Sequence, residues 1–184
     1  MARELFYWNG IRATGVDRVA SDAGISPTTL YRLFRSKDDL VAAYVEQEGA
    51  QYREWFERAI DLPSRSARDR ILALYADLEQ QLDPEICRGC PFQMALAETP
   101  DAELAAHRNA TATKAWVRDR LLDLARQLAD EEGGAPEPEA LADHMVLVME
   151  GAYASASSLG AGGPSRRTRE LVERLLPDVS PAAR

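Results

Sequence analysis

The amino-acid sequence predicts an all-α protein with a small N-terminal head and a larger helical body. Apolar residues recur at steps of three and four, and no stretch alternates in the way a half-buried strand would. The 184 residues are 46% apolar and 28% charged, enough for a substantial core. Net charge is −8, yet residues 1–37 hold six basic and three acidic side chains. This uneven charge predicts that head and body bind different partners.

Two short helices are predicted within the first forty residues. The sequence Thr14-Gly15-Val16-Asp17 has the pattern of a capping box and predicts a helix over residues 16–23. Gly24 ends it, because glycine adopts the left-handed conformation at low cost. The next helix, residues 27–34, has a serine at its cap and a proline at its first position. A second capping box, Ser36-Lys37-Asp38-Asp39, opens a longer helix.

Apolar stripes predict the helices of the body. They cover residues 36–60, 66–82, 101–129 and 139–159, with a short last helix over residues 166–176. Proline or glycine follows each of the first three and ends it, and residues 160–164 are predicted to form a turn.

The two short helices and the turn at Gly24 predict a helix-turn-helix. The side chains expected to share its core are Val19, Ala20, Ile25, Leu30 and Phe34. A short, well-capped second helix fits the major groove of B-DNA. The outward candidates are Thr28, Thr29 and Arg32 for base edges, with Tyr31 and Lys37 for phosphate oxygens. The alternative is that these are ordinary surface residues of a helical hairpin.

About forty N-terminal positions carry a further pattern. Its segments are Glu4-Leu5-Phe6, Gly10-Ile11-Arg12-Ala13-Thr14-Gly15-Val16, Ala23-Gly24-Ile25-Ser26 and Thr29-Leu30-Tyr31-Arg32-Leu33-Phe34-Arg35-Ser36-Lys37. Together they closely resemble the DNA-binding domain of TetR-family transcriptional regulators. The resemblance implies a homodimeric repressor. Residues 1–44 would read a palindromic DNA operator, and residues 45–184 would bind a small-molecule effector and dimerise.

The resemblance also assigns residues to the DNA contact. Ser26, Thr28 and Thr29 fall where the family contacts bases or nearby phosphates, and Tyr31 and Lys37 where it contacts phosphates. The full set expected at DNA is Thr14, Ser26, Pro27, Thr28, Thr29, Tyr31, Arg32 and Lys37. The family usually has a histidine or another polar residue in place of Leu33. Its first helix also normally begins earlier in the chain, which leaves a longer native N-terminus as an alternative.

The last two helices are the expected dimer interface, with packing inside the chain as the alternative. The residues that favour an interface are the small Gly151, Ala152 and Ala154–Ser158 and the apolar Leu171, Val172, Leu175 and Leu176. The side chains expected to line an effector pocket are Tyr75, Phe92, Met94, Trp116, Met149 and Tyr153. Because few charges interrupt these helix faces, an apolar or aromatic effector is favoured.

Cys87 and Cys90 form a C-x-x-C pair, for which reduced thiols in a structural loop are expected. His107 and His144 lack a ligand spacing to the pair, so neither metal nor cofactor is predicted. An all-α thiol oxidoreductase is the alternative function; otherwise no catalytic constellation indicates an enzyme. A helical adaptor with a vestigial head is a third alternative. The apolar run from Met145 to Met149 is too short for a membrane span, so a cytoplasmic location is expected.

Overall fold

The computed structural model describes residues 1–83, 85–132 and 137–177. These residues form helices and no strand, which confirms the predicted all-α class. The helices are α1 (Ala2–Asn9), α2 (Val16–Asp22), α3 (Pro27–Leu33), α4 (Lys37–Ile60), α5 (Ala67–Gln81), α6 (Pro91–Glu98), α7 (Ala105–Glu132), α8 (Pro138–Leu159) and α9 (Thr168–Leu175). Two 3₁₀ turns, Gly160–Gly162 and Pro164–Arg167, lie between α8 and α9.

One helix, α6, was not predicted from the sequence. It has eight residues, and only Phe92 and Ala95 among them are buried, so its apolar pattern is too short to show a period. Cys90 is its N-cap residue and Pro91 occupies its first turn, where a missing N–H does no harm. The segment of residues 87–91, which was expected to be a loop, therefore also contains the start of a helix.

The described residues divide into two compact units. The first consists of Met1–Glu54 and Cys90–Lys114, so α6 and the start of α7 lie in the same unit as α1, α2 and α3. The second consists of the described residues of Trp55–Gly89 and Ala115–Arg184. Both long helices, α4 and α7, contribute residues to both units. A domain boundary at residue 44 stays a prediction.

The short helix α1 is held to α4 by aromatic packing and an ion pair. Phe6 is buried, and its ring centroid lies 5.5 Å from that of Tyr44. Arg3 Nε donates to Glu48 Oε1 at 2.5 Å, and Glu48 is itself buried. Burial, with a further contribution from the Glu48 carboxylate, raises the pKa of the Tyr44 phenol well above its usual value. These contacts stabilise a two-turn helix that would be marginal alone.

The core of the second unit lies among α5, α7, α8 and α9. Its fully buried side chains include Ile71, Leu74, Leu78, Leu121, Leu124, Leu128 and Leu141. The Tyr75 hydroxyl lies inside this core and donates to the Met145 carbonyl oxygen at 2.6 Å, which satisfies its one polar atom. Within the part of the chain that the structure describes, no helix is both long enough and apolar enough to cross a membrane.

We expect Leu121→Ala to lower the free energy of unfolding by about 2–5 kcal/mol, because it deletes a fully buried side chain and leaves a cavity. Urea denaturation followed by circular dichroism measures this. Ile86→Ala is the matched control, since Ile86 is 63% exposed and its loss should change stability by less than about 0.5 kcal/mol. Equal effects of the two substitutions would contradict the described core.

Candidate nucleic-acid interface

Helices α2 and α3 form a helix-turn-helix, as predicted. Gly24 lies in the turn at φ 67°, in the left-handed region that favours glycine. The Gly24 amide donates to the Ser21 carbonyl at 3.0 Å, and the Ile25 amide donates to the Ala20 carbonyl at 3.0 Å. These bonds close the end of α2 and set the direction in which the chain enters α3.

The N-terminus of α3 is capped as the sequence predicts. Ser26 Oγ accepts a hydrogen bond from the Thr29 amide at 3.1 Å, and Pro27 lies in the first turn. Leu30 is the one buried residue of this helix. Since α3 is attached through a single side chain, the rest of its surface faces outward.

The side chains expected at DNA share this outward surface. The exposed residues are Ser26, Pro27, Thr28, Thr29, Tyr31, Arg32 and Leu33. Thr28 and Arg32 lie four positions apart and opposite Leu30, so they are neighbours on the face furthest from the core. Tyr31 is 51% exposed and Leu33 is 69% exposed. The resulting face combines hydroxyl groups, one guanidinium and two large side chains.

Lys37 lies beside this face, at the first residue of α4. Its Nζ donates to the carbonyl oxygen of Arg12 at 3.4 Å. Ser36 Oγ accepts from the Asp39 amide at 3.0 Å, as the second capping box predicts. Asp39 itself pairs with Arg35 at 3.0 Å. The ammonium group of Lys37 is therefore held next to the loop between α1 and α2.

The prediction of a capping box at Thr14 is wrong. The N-cap of α2 is Gly15, with no side-chain capping bond, and Thr14 is only 3% exposed. Thr14 Oγ1 lies 2.7 Å from the Gly10 carbonyl oxygen and 3.3 Å from that of Leu5. Its hydroxyl donates to the end of α1, because buried carbonyls there need a donor. The Thr14 side chain is therefore buried against the end of α1, and its expected contact with DNA stays a prediction.

The six side chains expected to line a pocket fall in both units. Phe92 and Met94 lie on α6 in the first unit, where Phe92 packs edge-to-face on Tyr52 at 5.4 Å. In the second unit, the Tyr75 hydroxyl donates to the carbonyl oxygen of Met145 on α8, one turn before Met149. Tyr153 is buried one turn after Met149, and Trp116 packs on Phe56 at 5.3 Å. Their common role in a pocket stays a prediction.

The α8 and α9 residues proposed for an interface divide into two sets. The buried set, which packs within the second unit, is Ala152, Ala156, Val172 and Leu176. Of the exposed set, Leu171 is 48% exposed and lines a groove between α8 and α9 together with Gly151 and Ser155. Leu147, which was not among the residues expected from the sequence, is 68% exposed and lines the same groove. This groove presents apolar and small residues at the surface of the monomer, and its lining also includes the charged Arg167, Glu170 and Arg174.

Both cysteines are buried free thiols. Cys90 Sγ accepts a hydrogen bond from Lys114 Nζ at 3.1 Å. His107 Nδ1 lies 2.8 Å from the Thr99 carbonyl oxygen, and His144 is exposed on α8. Among residues 1–83, 85–132 and 137–177, no group of three or more His, Cys, Asp or Glu side chains is placed to hold a metal ion.

A capped, outward-facing helix after a glycine turn defines a helix-turn-helix DNA-binding protein. The model of the bacterial tetR family of regulatory proteins matches residues 1–44. A TetR-family transcriptional regulator of Streptomyces coelicolor is 30% identical, with TM-score 0.82 over 94% of this chain and 90% of that one. A TetR-type regulator of Streptomyces avermitilis is also 30% identical, with TM-score 0.77 over 95% and 89%.

Escherichia coli NemR in its reduced form shares the fold at 21% identity, with TM-score 0.81 over 98% of this chain and 95% of that one. The identity with the two Streptomyces proteins extends over most of each chain. This protein therefore belongs to the TetR family of transcriptional regulators.

We expect Thr14→Val to destabilise the fold and Thr28→Val to leave its stability almost unchanged. Thr14→Val removes a buried donor and leaves a carbonyl of α1 without it, which should lower the free energy of unfolding by about 1–3 kcal/mol. Thr28 is exposed, so its substitution should change that free energy by less than about 0.5 kcal/mol. Thermal and urea denaturation measure both. A larger loss at Thr28 would contradict its outward position.

Proposed function

We propose that this protein is a ligand-responsive transcriptional repressor that binds a palindromic DNA operator as a homodimer and leaves it when a small molecule binds. The observation that carries the proposal is the exposed face of α3. Thr28 and Arg32 are exposed on the side opposite Leu30, and Tyr31 is exposed beside them. A helix of this length enters the major groove with such side chains toward the base edges.

The distribution of charge supports the same function in spite of the acidic total. Phosphates repel an acidic protein, and the net charge is −8. Residues 1–37, however, carry a net charge of +3, and they include the whole helix-turn-helix. Contacts of Tyr31 and Lys37 with phosphates would fix the register, while Thr28, Thr29 and Arg32 read bases. The acidic remainder would discourage non-specific binding elsewhere on the chain.

We expect specific operator binding that Arg32→Ala and Lys37→Ala weaken in different ways. An operator selected from a random DNA library provides the probe, and fluorescence anisotropy gives the affinity across a salt series. Arg32→Ala should reduce affinity by about 10-fold and relax sequence preference, because a base contact is worth about 1–3 kcal/mol. Lys37→Ala should weaken all sequences similarly and reduce the salt slope by about one.

Arg65→Ala is the matched control for the loss of one positive charge. Arg65 is an exposed arginine of the second unit, and its removal should leave operator affinity and salt slope unchanged. If the wild-type protein shows no sequence preference and a flat salt response, the proposed operator binding is wrong. If Arg32→Ala and Arg65→Ala behave alike, α3 does not read the operator.

The groove between α8 and α9 is the proposed dimer interface. Its occupant is a second copy of the same surface, since a two-fold interface places identical patches against each other. Leu147 and Leu171 supply apolar area, and Gly151 and Ser155 allow close approach of the second copy. Regulators of this family usually form dimers, and two heads about 34–36 Å apart would enter successive major grooves.

We expect Leu147→Glu to convert the dimer to a monomer, because it replaces an apolar contact with a carboxylate that loses its hydration on association. Sedimentation velocity measures the mass directly. Leu159→Glu is the matched control, since Leu159 is also exposed at 63% but does not line the groove. A wild-type monomer, or a Leu147→Glu dimer as stable as the wild type, would reject this interface.

The effector response is proposed as a shift between two conformations of the dimer. In one conformation the two heads are spaced to bind the operator, and in the other they are not. An effector that binds the second conformation more tightly shifts the dimer toward it, and the ratio of its affinities for the two conformations sets how much operator is released. The aromatic and methionine side chains on α5, α6, α7 and α8 favour an apolar or aromatic molecule. Such a regulator would act in the cytoplasm and would catalyse no reaction.

A further inference from the structure

The C-terminal residue of α6 is bound to the loop between α1 and α2. The Arg12 amide donates to Glu98 Oε2 at 2.7 Å, and Arg12 Nε donates to the Glu98 carbonyl oxygen at 3.2 Å. All of these residues lie in the first unit, although Arg12 and Glu98 are 86 positions apart in sequence. One glutamate thus receives both a backbone and a side-chain donor from a single loop residue.

The loop fits closely against this carboxylate. Gly10 has φ +92°, and a Cβ atom built there would lie 3.3 Å from Glu98 Oε1 and 3.4 Å from Oε2. Glycine is therefore favoured at this position both by its backbone conformation and by the approach of Glu98. The close approach and the two hydrogen bonds are separate observations that point to the same tether.

The same loop also holds a residue proposed to contact DNA. Lys37 Nζ donates to the Arg12 carbonyl oxygen at 3.4 Å, while the Arg12 amide is bound by Glu98. Both polar groups of the Arg12 backbone are thus engaged, one by α6 and one by the first residue of α4. Movement of Glu98 would release the loop and, through Arg12, the side chain of Lys37.

We propose that Glu98 is a positioning residue for operator binding. Its carboxylate holds the loop of residues 10–12 and, through Arg12, the ammonium group of Lys37 in the arrangement that binds DNA. This inference rests on the proposed function, because it assigns Glu98 a role in the same DNA contact. It adds a residue from outside the helix-turn-helix, located on a helix that the sequence pattern does not reveal.

The sign of the charge effect separates positioning from simple electrostatics. Glu98 carries a negative charge near a surface that is to meet phosphates, so its neutralisation alone should strengthen DNA binding. Loss of the tether should instead weaken it. Glu98→Gln removes the charge but keeps a side-chain oxygen that can accept from the Arg12 amide, whereas Glu98→Ala removes both.

The experiment compares wild type, E98A and E98Q on the selected operator by anisotropy, with hydrogen exchange of the Arg12 amide measured by NMR. We expect E98A to lower operator affinity by about 10-fold and to accelerate Arg12 exchange by at least about 10-fold, since a hydrogen bond to a charged group is lost. E98Q should bind the operator at least as tightly as wild type. Thermal denaturation confirms that each variant is folded.

E46A is the matched control, because Glu46 is an exposed acid of α4 in the same unit. It removes the same charge without touching the loop. If E98A binds the operator as E46A does, Glu98 does not position the DNA contact and this inference is overturned. Loss of affinity in E98Q equal to that in E98A would also overturn it. If the wild-type protein binds no operator, the proposed function itself is wrong. If the wild type binds and E98A binds equally well, only the role of Glu98 is wrong.

Discussion

Helix α3 depends on packing that it cannot supply itself. A seven-residue helix forms too few hydrogen bonds to be stable in water, because helix nucleation is costly. Burial of Leu30 and the contact of α3 with α2, together with the Ser26 cap, hold α3 in a helical conformation. The left-handed Gly24 turn keeps the two helices close enough for this contact. Every functional property proposed for the head requires this small core.

The rest of the first unit is joined by an ion pair and by hydrogen bonds between distant parts of the chain. Arg3 with Glu48 joins α1 to α4, and Arg12 with Glu98 joins the following loop to α6. An ion pair such as that of Arg3 and Glu48 contributes little when fully exposed, but the burial of Glu48 gives this pair a defined geometry. The head is thus part of a unit larger than the family's N-terminal motif.

The sequence predicted the helices well and the long-range polar contacts poorly. Caps and glycine turns are local signals, so α3 was predicted to within one residue of its observed end. The capping prediction at Thr14 was wrong because its hydroxyl donates to a carbonyl at the end of α1 and does not cap α2. Both bonds are available to such a side chain, and only the tertiary packing determines which one forms. Helix α6 was too short to show a period. The tether at Glu98 spans 86 positions and leaves no local pattern.

The outward face of α3 has a consequence for how regulators of this kind diversify. Thr28 and Arg32 face away from Leu30, so the side chains that would choose a DNA sequence carry almost none of the helix's attachment to the head. Stability and target choice are therefore encoded by different residues of the same two turns. A lineage can exchange one promoter for another at these positions while the fold beneath them remains unaltered.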